Sequence, residues 1–320
     1  MYMVLVQYLQ EQQIPFEQDV LLSKKTWIKT GGVCACWITP QSVEQLAKVC
    51  RFLYANSIAF DIVGQTSNIF FHSSYNPQVV VSTIKVNQYK MNDGVITCDC
   101  GVSVVKLSKD YLSQGYAGFY GLVGLPGTVA SAIVNNASCF NCSLSSMLLS
   151  ADVLMLDGAV KTLKKEEFKY SHRSSAFKRG VIKGIVLSVK LNAEKAESIE
   201  EEYRKSEETV NYRKEKQEKQ AGKTLGSVFA SRSMRKSFRN KMVNATMKIL
   251  PRLLKCEPRY IQKKAILLLY GYRDLDEYCS DRQINTFIWK DEHAEYMFER
   301  YKEMMNKVYD KPEIEIEEKF

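Results

Sequence analysis

The stretch GLVGLPGTVASAIVNNAS, residues 121–138, constrains this chain more than any other. Glycine and proline punctuate its first half, and a run with few bulky side chains follows. Two structures suit that order. One is a tight turn feeding a close-packed helix. The other is a backbone cradle for phosphate. Gly124, Gly127 and the small residues after Thr128 let the main chain approach a partner closely, and Pro126 suits the first turn of a helix. The free N–H groups at such a start are donors for phosphate oxygens. A second candidate cradle is VGQTSNIF, residues 63–70. It follows a strand pattern and offers Thr66, Ser67 and Asn68 as donors. Neither stretch has the spacing of the dinucleotide fingerprint or of the P-loop, so each alone is a weak phosphate signal and reads first as a turn.

The surroundings are those of a mixed α+β protein in two or three lobes. The segment 42–58 has a helical stripe through Val43, Leu46, Val49, Phe52 and Leu53, opened by Ser42. The segment VKLSKDYLSQG reads as a helix closed by Gly115. Period-two patterns predict strands in FDIVG, QVVVSTI, GVITCDCGVSVV, SADVLMLD, AVKTL and VIKGIVLSVKLN. Residues 194–220 turn polar and charged, which suits a solvated helix or linker. A strand-like piece follows in AGKTLGSVFAS, then a last amphipathic helix in AEYMFERYKEMMNKVYD and a final strand in EIEIEE.

The nine cysteines include Cys34/Cys36 and Cys98/Cys100, whose spacing of two predicts that each pair shares one strand face. Cys139/Cys142 is a lone Cys-x-x-Cys without the four-ligand pattern of a zinc site, so no metal is expected. The N-terminal segment lacks a basic n-region, and no apolar run nears the length of a membrane span. Reduced thiols and a cytoplasmic location are therefore the expectation. Of the formal net charge of +9, residues 231–264 alone carry 11 Lys/Arg against one Glu, a balance of +10. The basicity thus belongs to one segment, and a specific nucleic-acid site is not expected. That segment has Met234, Phe238, Met242, Ala245 and Ile249 spaced for one helix face, interrupted by Pro251 and Pro258. The expectation is that this face packs inward, with weak peripheral membrane contact as the alternative.

Taken in order, the motifs WIKTGG (27–32), VGQTSNIF, GLPGTVASAIVNNAS, YSHRSSAFK (170–178), RKEKQ (213–217), GSVF (226–229) and IEIEEKF (314–320) resemble the series of the UDP-N-acetylenolpyruvoylglucosamine reductase family. The resemblance runs from about Leu22 to the C-terminus and is nearest the shorter subtype. It implies an α+β protein with the FAD-binding fold of the UDP-N-acetylenolpyruvoylglucosamine reductase and vanillyl-alcohol-oxidase type, plus an α+β substrate lobe. The expected division is an FAD-binding subdomain over 1–75 joined by 311–320, a second over 76–220, and a substrate-binding domain over 221–310.

The implied cofactor is non-covalent FAD, held by Gly64, Gln65, Thr66, Ser67, Asn68, Gly124, Pro126, Gly127, Thr128 and Asn136. NADPH is the implied reductant and an enolpyruvyl UDP-sugar the implied substrate, in cell-wall or surface-polysaccharide precursor synthesis. Arg173 falls where the family grips the developing carboxylate, a task for a bidentate guanidinium. Ser227 falls on the proton donor, Glu317 on a second carboxylate-side residue, and Lys216 on a contact to substrate phosphate. His172 replaces the usual tyrosine at a stacking position. The chain also departs from the family's glycines, with Gln65 and Thr66 in the first loop and Ala130 and Ser131 in the second. A Cβ at 66 or 131 makes a positive φ costly. The rival expectation is a catalytically degenerate paralogue that serves as a nucleotide-sugar binder or scaffold.

Overall fold

The computed structural model describes residues 2–216 and 222–320. The chain gathers into two compact units, Met1–Ser67 with Ser73–Tyr212, and Asn68–His72 with Arg213–Phe320.

The first unit holds two sheets. One has the strand order Phe16–Leu21, Val33–Ile38, Val79–Ser82, Asp61–Val63; its first pair is antiparallel and the others are parallel. The other is antiparallel throughout, in the order Val160–Lys164, Leu148–Met155, Gly184–Asn192, Val95–Asp99, Tyr89–Asn92. Its central strands are covered on both faces. Leu154, Ile185 and Leu187 join a core with the helix Val43–Ala55, whereas Val153, Val186 and Val189 join a second core with the helices Val104–Ser113 and Val129–Asn135. The period of two along a strand sends neighbours to opposite faces, so adjacent apolar residues of these strands serve different cores.

The helix Val43–Ala55 begins as expected, with Ser42 Oγ accepting from the Gln45 N–H at 3.2 Å. The cysteine pairs differ from each other. Cys34 and Cys36 are both buried on Val33–Ile38, but Cys98 and Cys100 belong to different cores. The strand ends at Asp99 and the chain bends at Gly101, which breaks the alternation the spacing predicts. The described cysteines are all free thiols. Burial pushes Cys34 up to about 11 and Cys36, Cys50, Cys98 and Cys279 up to about 12, so they are poor nucleophiles at neutral pH.

The second unit is built around aromatic rings. Phe287 meets Trp289, Phe298 and Tyr301 edge-on or tilted at 5.0–5.3 Å, and Phe70 lies 4.4 Å from Trp289. The helices Phe238–Leu254, Pro258–Tyr270 and Ala294–Val308 belong to it, as do the antiparallel pair Phe229–Met234 with Tyr309–Ile314 and the parallel pair Ile69–Phe71 with Glu317–Lys319. The C-terminal strand expected as one piece is thus two.

Two expectations for the basic segment are corrected. Pro251 does not interrupt its helix, which runs on to Leu254. A proline there costs the bond to the carbonyl four residues back, which is tolerable within a turn of the end. The stripe through Phe238, Met242 and Ile249 does not pack inward either; these residues are 77%, 39% and 58% exposed. The inward face carries Asn240 and Val243. Asn240 decides the orientation, because its amide donates to the Arg235 and Val308 carbonyls and its oxygen accepts from the Tyr270 hydroxyl. A buried amide with three partners cannot be turned outward without leaving the carbonyls unpaired. Among the described residues, no helix is long and apolar enough to cross a membrane.

Candidate functional site

The first unit brings the two candidate loops into contact. The strand Asp61–Val63 delivers Gly64 against Thr128, where a Cβ on Gly64 would lie 2.6 Å from Thr128 Oγ1. A Cβ on Gly127, whose φ is +132°, would lie 3.1 Å from Ser131 Oγ and 3.6 Å from Ser67 Oγ. Both glycines therefore serve loop-to-loop contact.

Among the described residues, the helix start and the first loop differ in the N–H groups they leave open. In the helix start at 127–131, every N–H has a protein partner. Gly127 donates to Gln65 Oε1 at 2.9 Å and Thr128 to Ser131 Oγ at 3.0 Å. Val129 donates to the Val102 carbonyl and Ala130 to the Cys100 carbonyl, at 2.8 and 3.0 Å. Ser131 donates to Thr128 Oγ1, completing a capping box. The two side chains that close this start, Gln65 and Ser131, are among the departures from the family's glycines. Ser131 is helical, so the positive φ feared there does not arise. Thr66 does adopt it, at +54°, and its Oγ1 accepts from the Trp27 N–H at 2.8 Å. That bond helps to offset the roughly 1–2 kcal/mol cost of the left-handed region.

In the first loop, the N–H groups of Gln65, Thr66 and Ser67 donate to nothing among the described residues. Beside the loop, Ser82 pairs with Val63 and its Oγ is buried with no partner. Successive N–H groups around a left-handed residue form an anion-binding concavity. The loop fits a diphosphate as it stands. The helix start fits one only if Gln65 and Ser131 turn away.

Asn136 ends the helix Val129–Asn135 in the left-handed region. Its Nδ2 donates to the Ser171 carbonyl at 2.7 Å, and its Oδ1 accepts from Ser145. Ser175 Oγ donates to the Val134 carbonyl. These bonds bolt the turn Ser171–Ser174, closed by two backbone bonds of 3.0 and 3.1 Å, to the end of that helix. Arg173 sits in the turn at φ +52°, half-buried, with His172 exposed beside it. Tyr170 precedes the turn; its hydroxyl is enclosed with no partner, and burial holds its pKa well above the ordinary value. Lys216 ends the helix Ile199–Lys216, and its side chain lies outside the described set.

The second unit holds Ser227 and Glu317. Ser227 Oγ accepts from Gln283 Nε2 at 3.0 Å, which leaves the hydroxyl hydrogen free to point elsewhere. Asn285 fixes the adjacent backbone, accepting from the Phe229 N–H and donating to the Phe229 carbonyl. Sequence reasoning missed both residues, which lie in the RQINTF stretch. Glu317 is 54% exposed at its side chain and pairs with Lys319 at 2.8 Å. The ladder from Ser227 continues instead to Glu315, whose N–H donates to the Val228 carbonyl at 2.8 Å. His72, Glu299 and Glu318 cluster within metal-ligating reach. Lys302 Nζ already lies 2.8 Å from Glu299 and 2.7 Å from Glu318, so a cation of the protein already serves both carboxylates.

Residues 34–164 match the FAD binding domain family. The architecture is that of a UDP-N-acetylenolpyruvylglucosamine reductase from Thermus caldophilus, with a TM-score of 0.67 over 95% of this chain and 99% of that one, at 20% identity. The fold is therefore of the α+β class, and its first unit contains the stretch that resembles the FAD binding domain family. In sequence, the chain is 26% identical over 213 residues to UDP-N-acetylenolpyruvoylglucosamine reductase 2 of Bacillus anthracis, 67% of this chain and 68% of that one. It is 30% identical over 170 residues to the UDP-N-acetylenolpyruvoylglucosamine reductase of a Nostoc species, of which it spans about half. The chain is a divergent relative of these reductases.

Proposed function

We propose that this chain is an FAD-dependent, NADPH-oxidising reductase of an enolpyruvyl UDP-sugar, acting in cell-wall or surface-polysaccharide precursor synthesis. The likeness to reductases of that name, over 213 residues, carries the reading. The open N–H groups of Gln65, Thr66 and Ser67 support it from the geometry. The chemistry FAD supplies when bound is the relay of hydride from NADPH to the terminal carbon of the enolpyruvyl ether.

The protein's part is binding, charge and a proton. Gly64–Ser67 would hold the diphosphate, with Gly127 and Thr128 joining if Gln65 and Ser131 release their N–H groups. Arg173 would neutralise the carboxylate on which negative charge builds, and its fork suits a planar partner. Ser227 would give its proton to the carbon next to that carboxylate. A hydroxyl is a weak acid, so position would decide, and the Gln283 bond that orients Ser227 Oγ supports this reading. Lys216 would meet substrate phosphate and His172 would stack on the substrate or nicotinamide. Glu317 is retained as a second carboxylate-side residue on resemblance alone, because its side chain is occupied by Lys319.

One observation favours the scaffold reading. The helix start at 127–131 is closed by the protein's own side chains, as befits a cradle no longer in use. The two readings part on a simple measurement. The purified chain is expected to be yellow, to bleach anaerobically with NADPH, and to release its flavin to the supernatant on acid precipitation. Flavin retained in the pellet would refute the non-covalent attachment. A colourless chain that takes up no added FAD would leave only the scaffold.

A further inference from the structure

The exposed face of the helix Phe238–Leu254 combines an apolar stripe with a cationic edge. Phe238, Met242, Ala245, Ile249 and Leu253 fall within about 80° of arc at 3.6 residues per turn. Phe238 and Leu253 are 77% and 71% exposed, so the stripe is presented to solvent along the whole helix. Lys241, Lys248 and Arg252 run along one edge of the stripe. Among the described residues none of these three is ion-paired. Arg239, over the Tyr270 ring, flanks the other edge. The opposite face is used inside the unit through Asn240 and Val243.

We propose that this face lies on a membrane surface rich in anionic lipid. An apolar stripe flanked by cations is the arrangement that settles in the headgroup boundary, the apolar side toward the acyl chains and the ammonium and guanidinium groups on the phosphates. The charge argues against the other occupants. A second copy laid face to face would set Lys241, Lys248 and Arg252 of one helix against the same cations of the other, with no acidic residue on either helix. A nucleic acid would meet the cations but leave Phe238, Ile249 and Leu253 against water or phosphate. The sequence favoured an inward role for this face; its exposure removes that role.

The test is co-sedimentation of the full chain with vesicles. Binding is expected to vesicles of phosphatidylcholine with about 30% phosphatidylglycerol, weakly or not at all to phosphatidylcholine alone, and to fall between about 0.1 and 0.5 M salt as the screening length shortens. The variant Lys241→Gln/Lys248→Gln/Arg252→Gln should lose partitioning on the order of 100-fold, from three cations near an anionic surface. Phe238→Ser/Ile249→Ser/Leu253→Ser should lose it too. Both variants alter exposed side chains, so an unchanged melting temperature and circular dichroism spectrum accompany the loss. The proposal falls if the wild type pellets with neither vesicle, or if the cation variant pellets as before. It falls equally if the apolar variant merely converts a dimer to a monomer in light scattering, or if duplex DNA binds at sub-micromolar affinity at physiological salt.

Discussion

Replacing Ser227 by alanine is expected to leave bleaching by NADPH at the wild-type rate, and to slow the return of colour on an enolpyruvyl UDP-sugar by at least about 10²-fold. The first half-reaction asks nothing of a proton donor to the substrate carbon; the second does. The geometry makes the split sharp. Gln283 donates to Ser227 Oγ, so the hydroxyl hydrogen is the one proton the pair can offer. Asn285 clamps Phe229 through both its backbone groups, which steadies the strand that follows Ser227. Gln283→Ala should lower the same half-reaction less than Ser227→Ala, with little change in substrate affinity, because it frees the hydroxyl to rotate without removing it. Arg173→Lys should also slow the second half-reaction, since a point charge cannot reproduce a bidentate fork. Stopped-flow absorbance reads each step. Equal recovery in Ser227→Ala and wild type would take Ser227 out of the mechanism.

What could be read from the sequence was local. Ser42 announces the helix that follows because a cap and its first turn lie within four residues. The central strands announce themselves through adjacent apolar residues, such as Val153 with Leu154 and Ile185 with Val186, that face different cores. The failures share a cause: each was decided by a partner far along the chain. Gln65 looked like a lost glycine, yet its side chain reaches the Gly127 N–H, 62 residues on. The helix Phe238–Leu254 has apolar residues on both faces, so periodicity could not choose; the Val308 carbonyl chose, through Asn240. Cys98 and Cys100 were parted by a bend that spacing does not show. Glu317 was placed by motif order, but the pairing of Lys319 with its carboxylate and of Glu315 with Val228 depends on how the last strand splits.

Gly101→Ala is expected to cost about 3 kcal/mol or more, the upper end of overpacking penalties, and to lower the melting temperature by roughly 6–12 °C for a unit of this size. Nothing in the sequence marks this glycine, and no left-handed backbone requires it. The reason is space. A Cβ at this position would lie 1.8 Å from the Thr83 carbonyl oxygen and 2.7 Å from the Val86 oxygen, which are backbone atoms that cannot rotate aside. The Gly101 N–H already donates to that Val86 carbonyl, so the two segments are held together as well as crowded. The same bend carries the candidate site. The carbonyls of Cys100 and Val102 accept from Ala130 and Val129, and so position the helix start against Gly64. Forcing residue 101 away from Thr83 must therefore move the helix start too, and FAD affinity should fall together with stability. Gly180→Ala is the control. Its φ is +71° but nothing lies within 4 Å of the added Cβ, so only the left-handed penalty of roughly 1–2 kcal/mol applies. Thermal melts of the two variants, with flavin titration of each, separate crowding from backbone strain. If Gly101→Ala melts no lower than Gly180→Ala and binds FAD as tightly as the wild type, the bend does not hold the site.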